Sequence, residues 1–380
     1  MGTVQRLVSA AASVGAGRLP LADSTQAGRR EGKELYVAGR GAAAVPGGNR
    51  MLYVRGFLLG CIRLHAKSFI SRLRESTREK REGASGMKEE KEGLLPGGIR
   101  APYPFDAAET LDCGQAFRWV ELPGEAGASL WEGVAFGKVL RAEQRGQQVW
   151  LGCSPEDYEH TWRAYFDLGE DYAPKREALA AMSPALAEAA AFAPGIRILR
   201  QEPWEALCSF IISQNNHIPR IKGIIERLCQ RLGAEIPGTA WHAFPTAERL
   251  AACSLEDLAP LRAGFRAKYL LDAARKVASG QVDLARVAAA PVEEGRRELQ
   301  TIFGVGPKVA ECAMLYGFHK TECFPMDVWM KRAMATLLPG RRPKEFGENA
   351  GLAQQYLFHY SRLHPELFVE KAAHLPANRR

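Results

Sequence analysis

The spacing of hydrophobic and polar positions changes near Tyr158. Before that residue, three segments with aromatic and β-branched residues in partial alternation are separated by two turn-rich stretches; the segments are Ala116–Val120, Leu130–Leu140 and Gln147–Leu151, and the stretches are Pro123–Gly127 and Glu143–Gly146. Such alternation is typical of half-buried strands. The pattern therefore predicts a small antiparallel sheet within residues 96–175.

After Tyr158, apolar residues recur at intervals of three and four, which predicts amphipathic helices. The clearest stripe follows Pro203, a residue favoured in the first turn of a helix, and comprises Trp204, Leu207, Cys208, Ile211 and Ile212. Ser254 and Asp257 have the spacing of a capping box. The predicted fold class is α+β, with a sheet domain over residues 96–175 followed by a mostly helical body over residues 176–380.

Residues 1–95 show no sustained strand or helix periodicity in their hydrophobic residues outside residues 51–74. Three interpretations compete: a disordered arm, an Arg-rich transit segment, or translated sequence upstream of the true start. We favour the third, with Met51 or Met87 as the start, and then the disordered arm. We therefore expect residues 1–95 to be a disordered or non-native extension.

The net charge of +8 comes from the beginning of the chain. Residues 1–100 carry 18 basic and 9 acidic residues, which leaves 33 basic and 34 acidic residues in the rest. Any nucleic-acid surface on the folded part must therefore come from local clustering and oriented amides. The longest apolar run, Phe57–Ile62, is about a third of the ~18 residues that span a bilayer, so no membrane partner is expected.

The eight cysteines do not form a recognisable metal motif. No two of them are separated by only two residues, and none follows Cys323. This spacing excludes a CxxC zinc or redox motif and a tight four-cysteine iron–sulfur loop. We expect buried thiols in a reducing cytoplasm, with no metal and no cofactor.

The segment Leu299–Cys312 predicts a helix, a Gly-Val-Gly hairpin and a second helix that begins at Pro307. Gly304 and Gly306 permit positive φ and close approach of a phosphate, and the free amides of the second helix can bind that phosphate. This arrangement, over about residues 293–317, is a helix-hairpin-helix motif, which grips the DNA backbone without base contacts. Ordinary helix–helix turns also use Gly-x-Gly, so the motif alone is a weak signal.

Lys308 lies in the first turn of the second helix, where the helix dipole disfavours the ammonium form. A neutral amine is the form that attacks carbon. Nineteen residues later, Asp327 lies in an apolar loop over residues 324–330, near a helix start. Either residue alone has an ordinary role, phosphate contact for Lys308 and helix capping for Asp327. Together, at this spacing after a hairpin, they predict a nucleophile and its essential carboxylate.

From about Phe105 to Phe368 the chain resembles the helix-hairpin-helix DNA glycosylases, most closely the bacterial form of the 8-oxoguanine DNA glycosylase/lyases. The resemblance rests on several separated motifs, namely Cys113–Trp119, Ser213–Arg220, Gly264–Tyr269, the hairpin with Lys308, Pro325–Val328 and Ala353–Phe358. It implies excision of 8-oxoguanine, preferably opposite cytosine, from duplex DNA. The base would be flipped out, Lys308 would attack the sugar, and the Schiff base would undergo β-elimination.

The resemblance also implies roles for individual residues. In the base pocket, Gly114 would offer its carbonyl to N7 of the lesion, Gln354 would bond the Watson–Crick edge, and Phe358 and Cys312 would lie against its two faces. Opposite the lesion, Asn215, Arg220 and Arg266 would contact the cytosine. Phe265 would be the wedge that fills the gap in the base stack. Two positions depart from the family: His217 replaces a frequent Asn, and Trp329 replaces a phosphate-binding His.

Two other functions remain open from the sequence. A monofunctional alkylated-base glycosylase of the same fold would need only Asp327 and water, and a non-catalytic module would use the hairpin alone. We expect a monomeric enzyme in the cytoplasm of a bacterium, associated with the nucleoid.

Overall fold

A five-stranded antiparallel sheet forms the N-terminal part of the fold. In the computed structural model, residues 95, 97–103 and 105–368 are described, so the expected extension over residues 1–95 lies almost wholly outside them. The sheet order is β1-β5-β4-β3-β2, and the strands are β1 (Ile99–Arg100), β2 (Trp119–Leu122), β3 (Ala128–Ala135), β4 (Lys138–Arg145) and β5 (Gln148–Leu151). The predicted sheet is confirmed.

Two turns lie elsewhere than predicted. The segment Leu130–Leu140 is a hairpin, because Phe136 and Gly137 both have positive φ (51° and 68°) and reverse the chain between β3 and β4. Residues 143–145, expected in a turn, belong to β4. Arg145 forms ion pairs with Glu143 (2.6 Å) and Glu125 (3.0 Å), so charged partners allow a polar sequence to continue the strand. No pattern in the sequence predicted strand β1.

The rest of the described chain is helical. A short helical segment follows the sheet and contains a π turn at Tyr158–Trp162. The helices are α1 (Ala107–Leu111), α2 (Pro155–Asp157), α3 (Arg163–Tyr165), α4 (Ala173–Met182), α5 (Pro184–Phe192), α6 (Pro203–Ser213), α7 (Ile218–Leu232), α8 (Ala247–Ala251), α9 (Leu255–Leu258), α10 (Arg266–Ala278), α11 (Leu284–Ala289), α12 (Val292–Leu299), α13 (Pro307–Tyr316), α14 (Val328–Leu337) and α15 (Ala350–Leu363). Short 3-10 helices lie at Ala259–Leu261, Pro343–Asn349 and Pro365–Phe368. The predicted α+β class is confirmed.

Helix α6 lies at the centre of the helical body. The whole predicted stripe of α6 is buried, and Pro203 occupies its first turn as expected. Helices α7, α10 and α13 pack against it. The capping box of Ser254 and Asp257 also forms, at the start of α9. Within the described residues, no helix is both long and apolar enough to cross a bilayer.

Gln115 ties the sheet domain to the helical body. Its buried amide nitrogen donates to the carbonyl of Arg197 (2.7 Å), and its amide oxygen accepts from the backbone N–H of Leu199 (2.9 Å). Gln201 donates to the carbonyl of Gln115 (2.7 Å). Because both ends of this amide are satisfied, its burial carries little penalty. The bonds fix Gly114, the preceding residue, against the helical body.

Candidate active site

The predicted hairpin connects α12 to α13. Gly304 has a positive φ of 81°, and a Cβ there would lie 2.3 Å from the ring of Tyr269. Gly306 has an extended backbone (φ −89°) and is the N-cap of α13, with open space where a Cβ would lie. The expectation of positive φ is therefore correct for Gly304 and wrong for Gly306. At Gly306 the absence of a side chain instead leaves room beside the first amides of α13.

Lys308 lies in the first turn of α13 and extends toward α6. Its Nζ donates to Oγ of Ser213 (3.4 Å) and lies 5.5 Å from the centre of the Phe210 ring. The side chain is half-buried. The structure thus holds the amine at the edge of the helical body rather than extended into solvent.

Asp327 is the N-cap of α14. Its Oδ1 accepts the backbone N–H of Met330 at 2.7 Å, and the side chain is half-buried. The capping role considered from the sequence therefore exists. It does not exclude a chemical role, because a cap occupies only part of the hydrogen-bonding capacity of a carboxylate.

Cys312 lies on α13 one helical turn beyond Lys308, and its thiol is buried. Burial raises the pKa of Cys312; the charge of Lys308 and a hydrogen bond from it lower this pKa, and the charge of Asp327 raises it. The pairing of Lys308 with Asp327 as nucleophile and carboxylate stays a prediction.

The polar part of the site is a network around Tyr316, one helical turn beyond Cys312. The Tyr316 hydroxyl donates to Oε1 of Gln355 (2.6 Å) and lies 3.2 Å from Oε1 of Gln354, while its ring stacks on Phe210 at 5.2 Å. Gln355 in turn donates to the carbonyl of Cys113 (3.1 Å). The network fixes Gln354 on the helix that also carries Phe358.

Gly114 lies directly beside Phe358. A Cβ at Gly114 would lie 3.5 Å from Cε1 of Phe358 and 3.6 Å from Cδ1 of Ile218. Gly114 also has a φ of 95°, a conformation that favours glycine. The structure therefore links Lys308 through Phe210 and Tyr316 to Gln354, and it places Gly114 beside Phe358 on the same helix as Gln354.

A second group of predicted residues surrounds the loop between α6 and α7. Asn215 lies in this loop with a φ of 46° and an exposed side chain. Arg266 is only 2% exposed. Its guanidinium donates to the carbonyls of Gln214, Asn215 (2.7 Å) and Ala263 (3.1 Å). Arg266 therefore holds the loop that presents Asn215, and most of its donors are already used.

Arg220 and Phe265 are the exposed members of this group. The guanidinium of Arg220 makes one long contact, to the carbonyl of Arg262 (3.5 Å), and its charge lowers the pKa of Arg266, after the larger effect of burial. Phe265 is 48% exposed and its ring packs on the guanidinium of Arg266 at 4.4 Å. An arginine cluster and an exposed aromatic ring thus lie beside one loop.

The two departures from the family have structural roles. His217 is the N-cap of α7, where its Nδ1 accepts the backbone N–H of Arg220 at 3.4 Å. Trp329 donates its indole N–H to Oγ of Ser361 at 2.9 Å. That donor is therefore used within the protein, and the phosphate contact considered for it from the sequence has no free donor.

Comparison with known proteins agrees with this geometry. Residues 99–207 match the family model of the 8-oxoguanine DNA glycosylase N-terminal domain, and residues 208–347 match that of the HhH-GPD superfamily of base excision DNA repair proteins. An N-glycosylase/DNA lyase of Arabidopsis thaliana is 31% identical over 66% of this chain and 75% of its own length. This chain belongs to the 8-oxoguanine DNA glycosylase family.

Other members of the 8-oxoguanine glycosylase family are similar over comparable lengths. The N-glycosylase/DNA lyase of Saccharomyces cerevisiae is 39% identical over 59% of this chain. The match spans 66% of the yeast protein, which is just under two thirds of its length. A Clostridium acetobutylicum 8-oxoguanine glycosylase/lyase, solved with duplex DNA containing cytosine opposite 8-oxoguanine, is 36% identical. That match has a TM-score of 0.64 and covers 74% of this chain and 99% of the solved one.

Several site residues were missed in the sequence. Tyr316 follows Lys308 by eight residues and Cys312 by four, so helical spacing alone could have placed it on the same face. Phe210 and Ser213 lie off the apolar stripe of α6, and Gln115 has no periodic signal. Only packing reveals that Phe210 and Ser213 contact Lys308.

Proposed function

We propose that this protein is a bifunctional DNA glycosylase and lyase that excises 8-oxoguanine from duplex DNA during base excision repair. The observation that carries the proposal is the position of Lys308, whose Nζ lies 5.5 Å from the centre of the Phe210 ring, while that ring stacks at 5.2 Å on Tyr316, whose hydroxyl contacts Gln354. In this proposal Lys308 is the nucleophile, Asp327 is the carboxylate, and Gln354 and Phe358 belong to the base pocket, in a chain of the appropriate family.

In the proposed reaction, the Lys308 amine attacks the anomeric carbon of the sugar, and the bond from that carbon to the base breaks. Asp327 remains ionised and stabilises the positive charge that develops on the sugar. The amine then loses a proton, and the bond between the anomeric carbon and the ring oxygen breaks, which opens the sugar and leaves a Schiff base. Loss of a proton from the adjacent sugar carbon drives β-elimination, in which the bond to the 3′ phosphate breaks and the strand is cut 3′ to the lesion. Hydrolysis releases Lys308 unchanged.

Recognition of the base would use the pocket described above. Enzymes that act on a base take it out of the stack and read its edge by hydrogen bonds. The flipped base would lie between Phe358 and Cys312, with Gln354 on its Watson–Crick edge and Gly114 offering a carbonyl to N7. The Tyr316 network supports this role, because it restrains Gln354 before DNA arrives.

The complementary strand would be contacted by the second group. We propose that Arg220 and Asn215 contact the unpaired cytosine, and that Phe265 fills the gap in the stack. Arg266 would contact the same cytosine with its remaining N–H donor, in addition to holding the loop that presents Asn215. Free amides after Gly304 and Gly306 would bind phosphate, since a helix N-terminus is suited to anions.

We further propose that the functional unit is a monomer, in the cytoplasm of a bacterium near the nucleoid. The proposed domains are the sheet domain over residues 96–175 and the helical body over residues 176–380. Residues 1–95 would be an extension that the activity does not need.

The proposed function is tested with duplexes that carry one 8-oxoguanine opposite each of the four bases, with and without alkaline treatment. We expect strand cleavage without alkali, fastest opposite cytosine, and a protein–DNA adduct after borohydride reduction. Cleavage that requires alkali would instead support the monofunctional glycosylase. Binding without any base release would support the non-catalytic module.

A further inference from the structure

The helix that begins at the proposed wedge also supports the DNA-binding hairpin. Phe265 directly precedes α10, and Tyr269, four residues later, meets its ring edge-to-face at 5.6 Å. Residues at this spacing lie on the same face of a helix. Further contacts of that face are made with the chain between α12 and α13.

Three residues on this face of α10 contact the hairpin at successive turns. Gly304 lies so close to the ring of Tyr269 that a Cβ would reach within 2.3 Å of it, and Phe303 meets the same ring at 5.1 Å. Asp272 accepts the backbone N–H of Phe303 at 2.6 Å. Lys276, paired with Asp272 at 2.9 Å, donates to the carbonyl of Thr301 at 2.6 Å.

Tyr269 therefore touches both the hairpin and Phe265. Phe265 and Phe303 are largely exposed, at 48% and 59%, on either side of its half-buried ring. Aromatic rings in edge-to-face contact resist displacement relative to one another. Asp272 and Lys276 anchor the hairpin chain to α10, and Tyr269 adds the direct side-chain link between that chain and the exposed ring of Phe265.

We propose that Tyr269 is a positioning residue that couples the backbone grip of the hairpin to insertion of Phe265 into the base stack. It touches neither the reacting sugar nor the lesion. Its role is to hold Phe265 at a fixed distance from the phosphate that the hairpin binds, so that binding energy from the hairpin is used to open the stack. The inference rests on the proposed function, because it assumes that Phe265 enters the duplex.

The role predicts a dependence on the strength of the base stack. Opening a well-stacked duplex costs a few kcal/mol, and less where a base is already mismatched. A protein whose wedge is poorly positioned should therefore be slow on a fully paired duplex and nearly normal on a weakened one. General damage to the fold would slow both reactions equally.

The test uses Tyr269→Leu, which removes the ring but keeps apolar bulk, and Tyr269→Phe, which keeps the ring. Single-turnover excision at saturating protein is measured on a fully paired duplex with 8-oxoguanine opposite cytosine, and on the same duplex with mismatches flanking the lesion. For Tyr269→Leu we expect about a tenfold loss on the first duplex, equivalent to ~1.4 kcal/mol of barrier, and less than about a twofold loss on the second. Tyr269→Phe should recover most of the rate.

Two further variants complete the test. Phe136→Leu removes an exposed ring that contacts Tyr165 at 6.4 Å in the sheet domain, and it should leave both rates unchanged. Phe303→Ala, at an exposed position, removes the outer contact of Tyr269. It should lose excision rate selectively on the fully paired duplex, and it provides this test even if Tyr269→Leu folds poorly. Equal losses on the two duplexes, or no loss on either, would overturn the proposal. Wild-type protein that releases no base would contradict the proposed function instead.

Discussion

The two hairpin glycines should respond in opposite ways to the same substitution. Gly304 has a φ of 81° and no space for a side chain, whereas Gly306 has a φ of −89° and open space around its Cα. Gly304→Ala should therefore destabilise the protein, and Gly306→Ala should mainly obstruct the proposed phosphate site. Each variant serves as the matched control for the other.

The structure gives the expected magnitudes. An alanine with positive φ costs about 1–2 kcal/mol. Its methyl group would lie 2.3 Å from the Tyr269 ring, which adds about 1–3 kcal/mol for overpacking. The free energy of unfolding of Gly304→Ala should thus fall by about 2–5 kcal/mol. Gly306→Ala loses only the difference between Gly and Ala at an N-cap, about 1 kcal/mol or less.

Both variants are examined by urea denaturation and by titration with duplex DNA that lacks a lesion. We expect Gly306→Ala to keep its unfolding midpoint near that of the wild type but to bind DNA more weakly, with a smaller dependence on salt, because a phosphate contact is lost. The reasoning would be refuted if Gly306→Ala bound DNA as tightly as the wild type. It would also be refuted if Gly304→Ala were as stable as the wild type.

Three further predictions concern single side chains. Asp327→Asn should change the free energy of unfolding by less than about 0.5 kcal/mol, because Asn and Asp cap helices about equally, yet slow single-turnover excision about 10²–10³-fold. Arg220→Ala should reduce discrimination for cytosine opposite the lesion by about 1–3 kcal/mol, measured as excision rates opposite the four bases. Burial, aided by the charge of Arg362, lowers the pKa of His359 to about 4 from its usual 6.5. The unfolded chain therefore takes up this proton first, so stability falls as the pH drops from about 6.5 toward 4, and His359→Gln should flatten that fall in denaturation measured against pH.

Each of these predictions has a contrary result. Wild-type excision by Asp327→Asn would leave Asp327 with only its cap. An equal loss of rate opposite all four bases would make Arg220 a general DNA contact. An unchanged pH dependence in His359→Gln would show that another group titrates in that range.

Local signals in the sequence were sufficient for the elements whose pattern and packing agree. The stripe of α6 and the capping box of α9 formed as predicted, because burial and capping act through short, fixed spacings. The hairpin at Phe136 was missed since neither Phe136 nor its neighbours suggest a turn apart from Gly137. The continuation of β4 through Glu143 was missed because Glu143 pairs with Arg145 within the strand, and Arg145 pairs in turn with Glu125, which lies twenty residues earlier in the sequence.

The candidate site shows the same limit. Lys308 and Asp327 were paired by motif, but the contacts of Ser213 and Phe210 with Lys308 become visible only when α6 packs on α13. Arg266 illustrates a second limit: its residue type predicts contact with a base, which stays a prediction, while its hydrogen bonds to three carbonyls, seen only in the structure, also tie it to the loop. Residue type predicts what chemistry is available, whereas packing decides which donors are still free.

The most direct test of the account is single-turnover excision by Lys308→Gln at saturating protein, with borohydride added to trap a Schiff base. Gln keeps the length and helix propensity of Lys but cannot form a covalent bond with the sugar. The account predicts no trapped adduct, no strand cleavage and nearly complete loss of base excision, while binding to the lesion persists. If the variant still excises 8-oxoguanine at a substantial rate and has lost only salt-dependent affinity, Lys308 is a phosphate contact and the bifunctional mechanism is contradicted.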